Sequence, residues 1–208
     1  MARIRIEVQG YWHAGSGRGA GPGADAVVVR TPAGLPYLPG RALKGLIRDA
    51  ARIAEQAGRL DQGRTASLFG GRSRGAAEGA GKGMGRFGVA AGALRFSDAR
   101  IGVDDDKQQI WEDWADTGRG RKLVGGLFDH ISSTAMDENG LADERTLRTV
   151  EVTVPMQLHA FVEPIPDNDP GDWQSDLRLV LPLIRTLGSK RSRGFGRCSM
   201  SLLDGGGR

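Results

Sequence analysis

Glycine is the feature that most restricts how this chain can fold. The sequence has 33 glycines among 208 residues, and many lie in AGSGRGAGPGAD (residues 14–25) and SLFGGRSRGAAEGAGKGMGRFG (residues 67–88). Such segments carry too few apolar side chains to form a core, so both are predicted to be loops, and the second to be poorly ordered alone. The core must come from the patterned segments between them, and we expect one domain over residues 1–208.

Apolar periodicity predicts the core elements. RIRIEVQG (residues 3–10) has isoleucine or valine at every second position, which is typical of a half-buried strand. GRALKGLIRDAARIAEQAG predicts an amphipathic helix that stops at Gly58. Alternation over residues 150–162 predicts one long strand or two joined strands, and Pro182 is expected to kink or break a later helix. The expected elements cover residues 3–13, 41–58, 93–102, 147–165, 173–187 and 194–203.

The order of these elements predicts the fold class. They follow one another as strand, helix, strand, strand, helix and strand, with a long insertion before the last three. We therefore predict an α+β fold with a ferredoxin-like (RRM-like) βαββαβ core, in which helices cover one face of an open sheet. The acidic segment GVDDDKQQIWEDWADTGRG is predicted to be a loop with a short helix. Its run of Asp104, Asp105 and Asp106 is either a metal site or part of a solvated loop.

Charge is unevenly distributed along the chain. Residues 1–100 carry 16 Lys and Arg against seven Asp and Glu, residues 101–180 carry seven against 17, and residues 181–208 carry six against one. Two basic ends thus flank an acidic middle. If the ends meet in the fold, they form a positive surface suited to a polyanion such as nucleic acid. The alternative is three solvated faces that differ in sign.

The predicted helix carries a cationic face. At 100° per residue, its basic side chains fall within an arc of roughly 80°, opposite the apolar stripe. This face begins directly after the turn PYLPG, where the positive end of the helix dipole favours anions. It is either an ordinary solvated face or a binding site for RNA. The residues concerned are Arg41, Lys44, Arg48 and Arg52.

A second cationic segment, LGSKRSRGFGR (residues 187–197), joins the last helix to the last strand. Glycine lets a backbone approach a phosphate closely, and arginine offers bidentate donors to phosphate oxygens. Contacts of this kind position a nucleic acid without reading its bases. The predicted RNA-binding residues of this loop are Gly188, Lys190, Arg191, Arg193, Gly194, Gly196 and Arg197.

Several classes of protein are disfavoured by the sequence. A single cysteine, Cys198, permits neither an intramolecular disulfide nor a cysteine-based zinc site. No stretch approaches the roughly 18 consecutive apolar residues of a membrane helix. The N-terminal MARIRIEVQG alternates charged and apolar residues, unlike a secretory signal. We therefore expect a cytoplasmic protein without a membrane partner.

Four motifs in succession resemble the RAMP superfamily of CRISPR proteins. They are LPYLPGRALKGLIRDAAR, SLFG, LRFSDARI and LGSKRSRGFGR, and they extend over nearly the whole chain. GADAVVVRTPAGLPYLPG and FDHISSTAMDENGLADERTLRTVEVTVP are similar to segments of the repeated backbone subunits of type III effector complexes. In that family the second of these segments forms a protruding thumb. The resemblance implies a glycine-rich lid at about residues 60–92 and a thumb at about residues 125–149.

The resemblance also implies a function. Its expected partners are CRISPR RNA, target RNA, other effector subunits and copies of the chain itself, which form a filament along the RNA with each thumb inserted between bases. Asp25 matches the position of the catalytic aspartate of these subunits. The resemblance therefore implies target-RNA cleavage by Asp25 with Mg²⁺ or Mn²⁺, which is held jointly by this carboxylate and the RNA phosphate. Without the resemblance, Asp25 is equally explained as the cap of a turn.

Two alternative functions remain open. A related RAMP class processes CRISPR RNA precursors, often with a histidine near the N-terminus, and His13 follows the first predicted strand. A histidine at a strand end is also a common structural residue, and His159 is expected to pack in the sheet. The other alternative is a non-catalytic RNA-binding module of ferredoxin-like fold. Such modules stack bases on paired aromatic residues, and aromatic residues make up only 6% of this chain.

Overall fold

The structure is a computed structural model that describes residues 1–17, 19, 25–71, 90–135, 141, 146–166 and 168–203. Both helices and strands are present, as the sequence predicts. In chain order the elements are β1 (Ala2–Val8), α1 (Gly40–Gln56), α2 (Arg64–Phe69), β2 (Gly70–Gly71), β3 (Ala90–Ala91), β4 (Leu94–Phe96), α3 (Asp105–Asp116), α4 (Gly118–Val124), β5 (Phe128–Ser133), β6 (Arg148–Thr153), β7 (Met156–Pro164), α5 (Trp173–Val180) and β8 (Cys198–Leu203).

A four-stranded antiparallel sheet connects the two ends of the chain. Its strand order is β4–β7–β1–β8. Strand β1 is one of the two inner strands, and its Ile6 pairs with Leu158 of β7 on one side and with Met200 of β8 on the other. Every second residue of β1 is buried, as the alternation predicts. Because β1 and β8 are neighbours, the basic N-terminal and C-terminal parts of the chain meet at this edge of the sheet.

Two helices complete the main core. Leu43 and Ile47 of α1 and Leu177 of α5 belong to one apolar cluster with the inward side chains of the sheet. Full burial of such a side chain contributes about 1.5–3 kcal/mol. Helix α5 ends at Val180, and Pro182 lies in a single 3₁₀ turn after it, so the expected break is confirmed. Among the described residues, no helix is long and apolar enough to span a bilayer.

The start of α1 is fixed against the end of β4. The amide nitrogen of Gly40 donates to Oδ1 of Asp98 at 2.8 Å. A Cβ atom at Gly40 would lie 2.6 Å from the carbonyl oxygen of Phe96, so only glycine fits this contact. The first turn of α1, which carries Arg41, is therefore held in a defined position at the end of the sheet.

The acidic segment is more helical than predicted. Residues 105–116 and 118–124 form α3 and α4 instead of a loop with one short helix. Asp104 caps α3, since its Oδ1 accepts from the amide nitrogen of Lys107 at 2.8 Å. Asp105 and Asp106 lie in the first turn, where the helix dipole favours negative charge. The run of aspartates thus starts a helix, and no cluster of three metal-binding side chains occurs in the described part of the chain.

The long alternating segment forms two strands that belong to different sheets. Strand β7 lies in the main sheet, whereas β6 pairs with β5 in a separate two-stranded sheet. The register of this pair runs from Phe128 opposite Thr153 to Ser133 opposite Arg148. These strands form the base of the predicted thumb, whose residues 136–140 and 142–145 lie outside the described residues. The predicted lid includes α2, β2 and β3, and its residues 72–89 also lie outside them.

Candidate nucleic-acid interface

The two predicted cationic segments meet at one cavity of about 370 Å³. We call it the α1 cavity, because the first three turns of α1 form one of its walls. Arg41 lines it from the helix, Arg191 from the loop after α5, and His13 from the segment after β1. Asp49 also lines the cavity, and its carboxylate lies 3.7 Å from the guanidinium of Arg52. The fold therefore brings together basic residues that are 150 positions apart in the sequence.

Backbone hydrogen bonds hold the 188–197 loop against the end of β1. The amide nitrogen of Ser189 donates to the carbonyl oxygen of His13 at 2.9 Å. The amide nitrogen of Gly196 donates to the carbonyl oxygen of Tyr11 at 2.7 Å. At its base, the amide nitrogen of Leu187 donates to the carbonyl oxygen of Gly196 at 2.9 Å. The loop is thus anchored at both ends, and its middle is free to face outward.

Two glycines of this loop serve contacts within the chain. A Cβ atom at Gly188 would lie 2.5 Å from the carbonyl oxygen of His13, and one at Gly196 would overlap the carbonyl oxygen of Leu187. Both residues have positive φ, 76° and 71°. Glycine is therefore required at both positions by contacts within the protein backbone, and the predicted contact of these glycines with RNA stays a prediction. Gly194 differs, since nothing lies within 4 Å of its Cβ position.

Two cations of the loop, Arg191 and Arg193, lie in a short 3₁₀ turn, Lys190 precedes this turn, and Arg197 follows it at the end of the loop. Arg191, Arg193 and Arg197 are exposed, and Lys190 is half-buried with a left-handed φ of 55°. None of these four side chains forms an ion pair with any residue that the structure describes. Their positive charge is therefore available to an external anion.

The four basic residues of α1 have different surroundings. Arg41, Arg48 and Arg52 are exposed, and Arg52 is the one that faces Asp49. Lys44 is half-buried, and its Nζ donates to the carbonyl oxygen of Leu94 in β4 at 3.0 Å. Burial and then the charge of Arg48 lower the pKa of Lys44. Lys44 thus links α1 to the sheet, and the exposed cationic face consists of the three arginines.

His13 lies at the inner wall of the α1 cavity with 4% of its surface exposed. Its Nδ1 lies 2.7 Å from the carbonyl oxygen of Glu151 in β6. A carbonyl oxygen only accepts, so Nδ1 carries a proton and, in the neutral ring, Nε2 has the free lone pair. The ring therefore links the thumb base to the cavity, and Nε2 is its proton-accepting atom.

Asp25 lies at the thumb base and is exposed. Its Oδ2 accepts from the amide nitrogen of Thr149 at 2.8 Å, and its own amide nitrogen donates to the carbonyl oxygen of Thr149 at 2.8 Å. Both contacts join Asp25 to β6 and are not the local bonds of a turn cap, so the turn-capping interpretation is not what they show. Asp25 fits a metal only as one ligand among water and phosphate oxygens, because the described residues contain no cluster of three ligands. Asp25 is not among the residues that line the α1 cavity.

The segment after Asp25 is bound to β6 by a buried carboxylate. Glu151 is 6% exposed, its Oε1 lies 2.5 Å from Nη2 of Arg30, and its Oε2 accepts from the amide nitrogen of Val28 at 2.9 Å. The guanidinium of Arg30 also lies over the ring of Phe128, 3.6 Å from its centroid. This network fixes the residues near Asp25 relative to the thumb base, and no periodicity in the sequence indicates it.

Other residues of the 188–197 loop line a second cationic cavity. It measures about 690 Å³ and is lined by Gln9, Arg185, Thr186, Gly194, Arg197, Cys198 and Ser199. We call it the β8 cavity, because it borders the start of β8. Arg197 lines this cavity and Arg191 lines the α1 cavity, although the sequence places both in one group. Arg185 is outside the predicted binding residues, because its segment is predicted to be a helix and carries no binding motif.

A larger, apolar cavity of about 720 Å³ separates α3 from β7. Trp111, Trp114 and Met156 line it together with His159. His159 is 2% exposed within β7, so the expectation that it packs in the sheet is confirmed. Burial, followed by the charges of Arg3 and Arg5, lowers the pKa of this imidazole.

Comparison with known proteins identifies the family. A sequence profile of the RAMP superfamily matches residues 5–199. No curated protein matches the sequence. A chain in a cryo-EM structure of the type III-B Cmr-beta complex in its apo state has a TM-score of 0.67 at 12% identity, covering 98% of this chain and 97% of that one. A chain in Cmr-beta bound to cognate target RNA has a TM-score of 0.66 at 12% identity, covering 97% and 96%.

A third structure extends the comparison. A chain of a type IV-B CRISPR complex has a TM-score of 0.59 at 13% identity and covers 100% of this chain and 92% of its own. At such identities the likeness concerns the fold. The profile match extends over most of the chain, and the resemblance that the motifs predict is confirmed by it. The chain belongs to the RAMP superfamily.

Proposed function

We propose that this chain is a backbone subunit of a type III CRISPR effector complex and that it binds the guide RNA backbone. The observation that carries the proposal is the meeting of Arg41 and Arg191 at one cavity, with no ion partner for either among the described residues. Family membership and the fold likeness to type III-B subunits support this assignment. Contacts with phosphates do not depend on the base sequence of the RNA, which suits a subunit that must accept any guide RNA.

The strand order supports the finer fold assignment. In a ferredoxin-like βαββαβ core, the first strand lies between the third and the fourth, and the second strand is at an edge. Strands β1, β4, β7 and β8 take these places in the order β4–β7–β1–β8, and α1 and α5 are the two crossover helices. We therefore assign the remaining elements to insertions on this core.

We also propose that several copies assemble along one RNA with other effector subunits. The structures that resemble this chain are multisubunit CRISPR complexes, one of them bound to target RNA. The separate β5–β6 sheet supports a projecting thumb, because its strands pair with each other and not with the main sheet. The cytoplasmic location expected from the sequence stays a prediction.

Cleavage of target RNA at Asp25 is the catalytic part of the proposal. The Thr149 amide orients the Asp25 carboxylate, and the Arg30–Glu151 contact fixes the chain nearby. Asp25 would hold Mg²⁺ or Mn²⁺ together with RNA phosphate oxygens, and the metal would supply stabilisation of developing negative charge. The contribution of this chain is to present one carboxylate beside RNA at the thumb base.

His13 supports a second candidate function, processing of the RNA precursor. Its Nδ1 donates to the backbone carbonyl oxygen of Glu151, so Nε2 is the atom that can take a proton. His13 also lines the same cavity as Arg41 and Arg191. A general base beside phosphate-binding cations is a suitable arrangement for a metal-independent ribonuclease. Replacement of His13 by asparagine abolishes cleavage of a precursor RNA if this function holds. If His13 is structural, that variant loses stability instead, and any precursor cleavage persists.

Binding to unrelated single-stranded RNA sequences tests the principal proposal. We expect the affinity to fall with salt, by about 0.7 logarithmic units per neutralised phosphate for each tenfold rise in salt. Replacement of Arg191 and Arg193 by alanine weakens binding to all sequences alike. The matched control is Arg59→Ala, because Arg59 is exposed beyond the opposite end of α1. A salt-independent affinity, or a loss restricted to certain bases, contradicts the proposal.

A further inference from the structure

The β8 cavity is lined by basic and neutral polar residues without an acidic one. Its seven lining residues include two arginines, Arg185 and Arg197, and three neutral polar side chains, those of Gln9, Thr186 and Ser199. Both arginines are exposed, and neither forms an ion pair with a residue in the described ranges. A cavity with this lining attracts anions and offers hydrogen-bond donors to their oxygens.

The backbone under these arginines is held by three strand segments. Thr186 forms a β-bridge with Arg197, and the amide nitrogen of Cys198 donates to the carbonyl oxygen of Arg185 at 2.9 Å. On the other side, the amide nitrogen of Gln9 donates to the carbonyl oxygen of Arg197 at 2.8 Å. The backbone positions from which the two arginine side chains extend are therefore held next to each other.

Cys198 lines the β8 cavity, but its thiol does not act as a nucleophile there. Its side chain is buried with Sγ 4.0 Å from the carbonyl oxygen of Ile184, and burial raises the pKa of the thiol to about 11. The thiol stays protonated near neutral pH, so it neither attacks a ligand nor offsets the charge of the arginines. The chemistry that remains is binding of an anion.

The 188–197 loop contributes residues to both cavities. Arg191 lines one cavity, whereas Gly194 and Arg197, a few residues further, line the other. The side of Gly194 is open, with nothing within 4 Å of its Cβ position. An extended polyanion that crosses the exposed turn between them would meet cations on both sides.

We propose that the β8 cavity binds phosphodiester groups of the same RNA strand that occupies the α1 cavity, so that the strand passes over the 188–197 loop. The inference rests on the proposed function and adds Arg185 to the binding residues. Arginine also pairs with carboxylates of proteins. A polynucleotide is favoured because its charges repeat along one chain and the two cavities are joined by one loop.

A series of oligoribonucleotide lengths tests the inference. Wild-type protein, Arg185→Ala and the control Arg59→Ala are titrated with single strands of about four to about sixteen nucleotides, the range of site sizes in single-strand-binding folds. The Arg185→Ala variant binds the shortest strands like wild type, because these fill the α1 cavity alone. For long strands its affinity falls roughly tenfold and its salt slope decreases by about 0.7.

The outcomes separate this inference from the proposed function. If wild-type protein binds no RNA of any length, the proposed function fails and the inference with it. If wild type binds and Arg185→Ala equals it at every length, the inference alone is overturned. If Arg185→Ala binds RNA normally but no longer associates with its own copies, the cavity receives protein carboxylates, and the inference is also overturned.

Discussion

At the scale of single residues, the 188–197 loop, which we propose to bind RNA, depends on close backbone contacts. Gly188 and Gly196 allow the loop to lie on His13 and Leu187, and the turn that carries Arg191 and Arg193 lies between these two glycines. Their positive φ values add a conformational requirement that other residues meet only with strain. The glycines thus shape the site from inside the protein, while the arginines provide the charge.

Gly188→Ala should destabilise the protein more than Gly194→Ala. Both glycines have positive φ, so each alanine costs about 1–2 kcal/mol in backbone strain. At Gly188 the methyl group also collides with His13, which adds about 1–3 kcal/mol of overpacking, whereas Gly194 faces open space. Urea unfolding of the two variants measures the difference. Equal losses of stability would contradict this prediction, because they would show that the loop moves away from His13 at no cost in free energy.

His159 should make the stability of the protein depend on pH. Burial lowers its pKa in the folded state, so the unfolded chain binds a proton first as the pH falls through about 6.5. The free energy of unfolding therefore falls on acidification through this window. Urea unfolding at about pH 7.5 and about pH 5.5, either side of the ordinary imidazole value, measures the effect. His159→Gln should lose less stability than wild type over that interval, and an equal loss would contradict the assignment.

At the scale of elements, the thumb base is built as a unit separate from the main sheet. Strands β5 and β6 pair with each other, and the Glu151–Arg30 contact and the Asp25–Thr149 hydrogen bonds bind the preceding segment to β6. His13 is bonded to the same strand through the carbonyl oxygen of Glu151. Both candidate catalytic residues are therefore positioned by β6, although they occupy different surroundings.

A shortened thumb should fold but fail to assemble regularly on RNA. Ser133 pairs with Arg148, so residues 134–147 can be replaced by Asn-Gly, the pair that favours a two-residue hairpin turn. The main core contains none of the deleted residues, and the free energy of unfolding should change by about 0.5 kcal/mol or less. Urea unfolding and electron microscopy of the complex on long RNA measure the two properties.

The control for this variant is a Gly/Ser replacement that keeps the original length. It separates the effect of removing the thumb side chains from the effect of shortening the thumb. Coating of RNA with unchanged spacing by the shortened variant would remove the thumb from assembly.

At the scale of the whole molecule, pairing of β1 with β8 determines where charge accumulates. The basic ends of the chain meet at this edge, and the loop that precedes β8 contributes residues to both the α1 cavity and the β8 cavity. The acidic middle of the chain includes α3, which lines the apolar cavity. The molecule therefore has a cationic region at one edge of the sheet, as the proposed RNA binding requires.

Asp25→Asn should separate target cleavage from target binding in the assembled complex. Asparagine keeps an oxygen that accepts from the Thr149 amide, so the thumb base stays intact while the charge of the proposed metal ligand is lost. We expect cleavage of complementary RNA with Mg²⁺ to fall by roughly a hundredfold or more, with target affinity unchanged. Gel analysis of the cut products and a binding titration measure both. Unchanged cutting would exclude Asp25 from the mechanism.

The sequence by itself determined the elements whose patterns are local. Alternation predicts β1, helical spacing predicts α1, and Pro182 marks the end of α5, because each pattern reflects burial of one face of one segment. The four motifs also identify the superfamily. The helices α3 and α4 were underestimated, because capping by Asp104 and Thr117 outweighs a polar composition that is typical of loops.

Only the tertiary structure decided which side chains lie together. It separates Arg191 and Arg197 into two cavities, adds Arg185 to one of them, and engages Lys44 with the carbonyl oxygen of Leu94. It also gives Gly188 and Gly196 a role within the chain. These outcomes depend on the register between β1 and β8 and on the position of α1 on the sheet, which arise from long-range pairing and packing that no local pattern encodes.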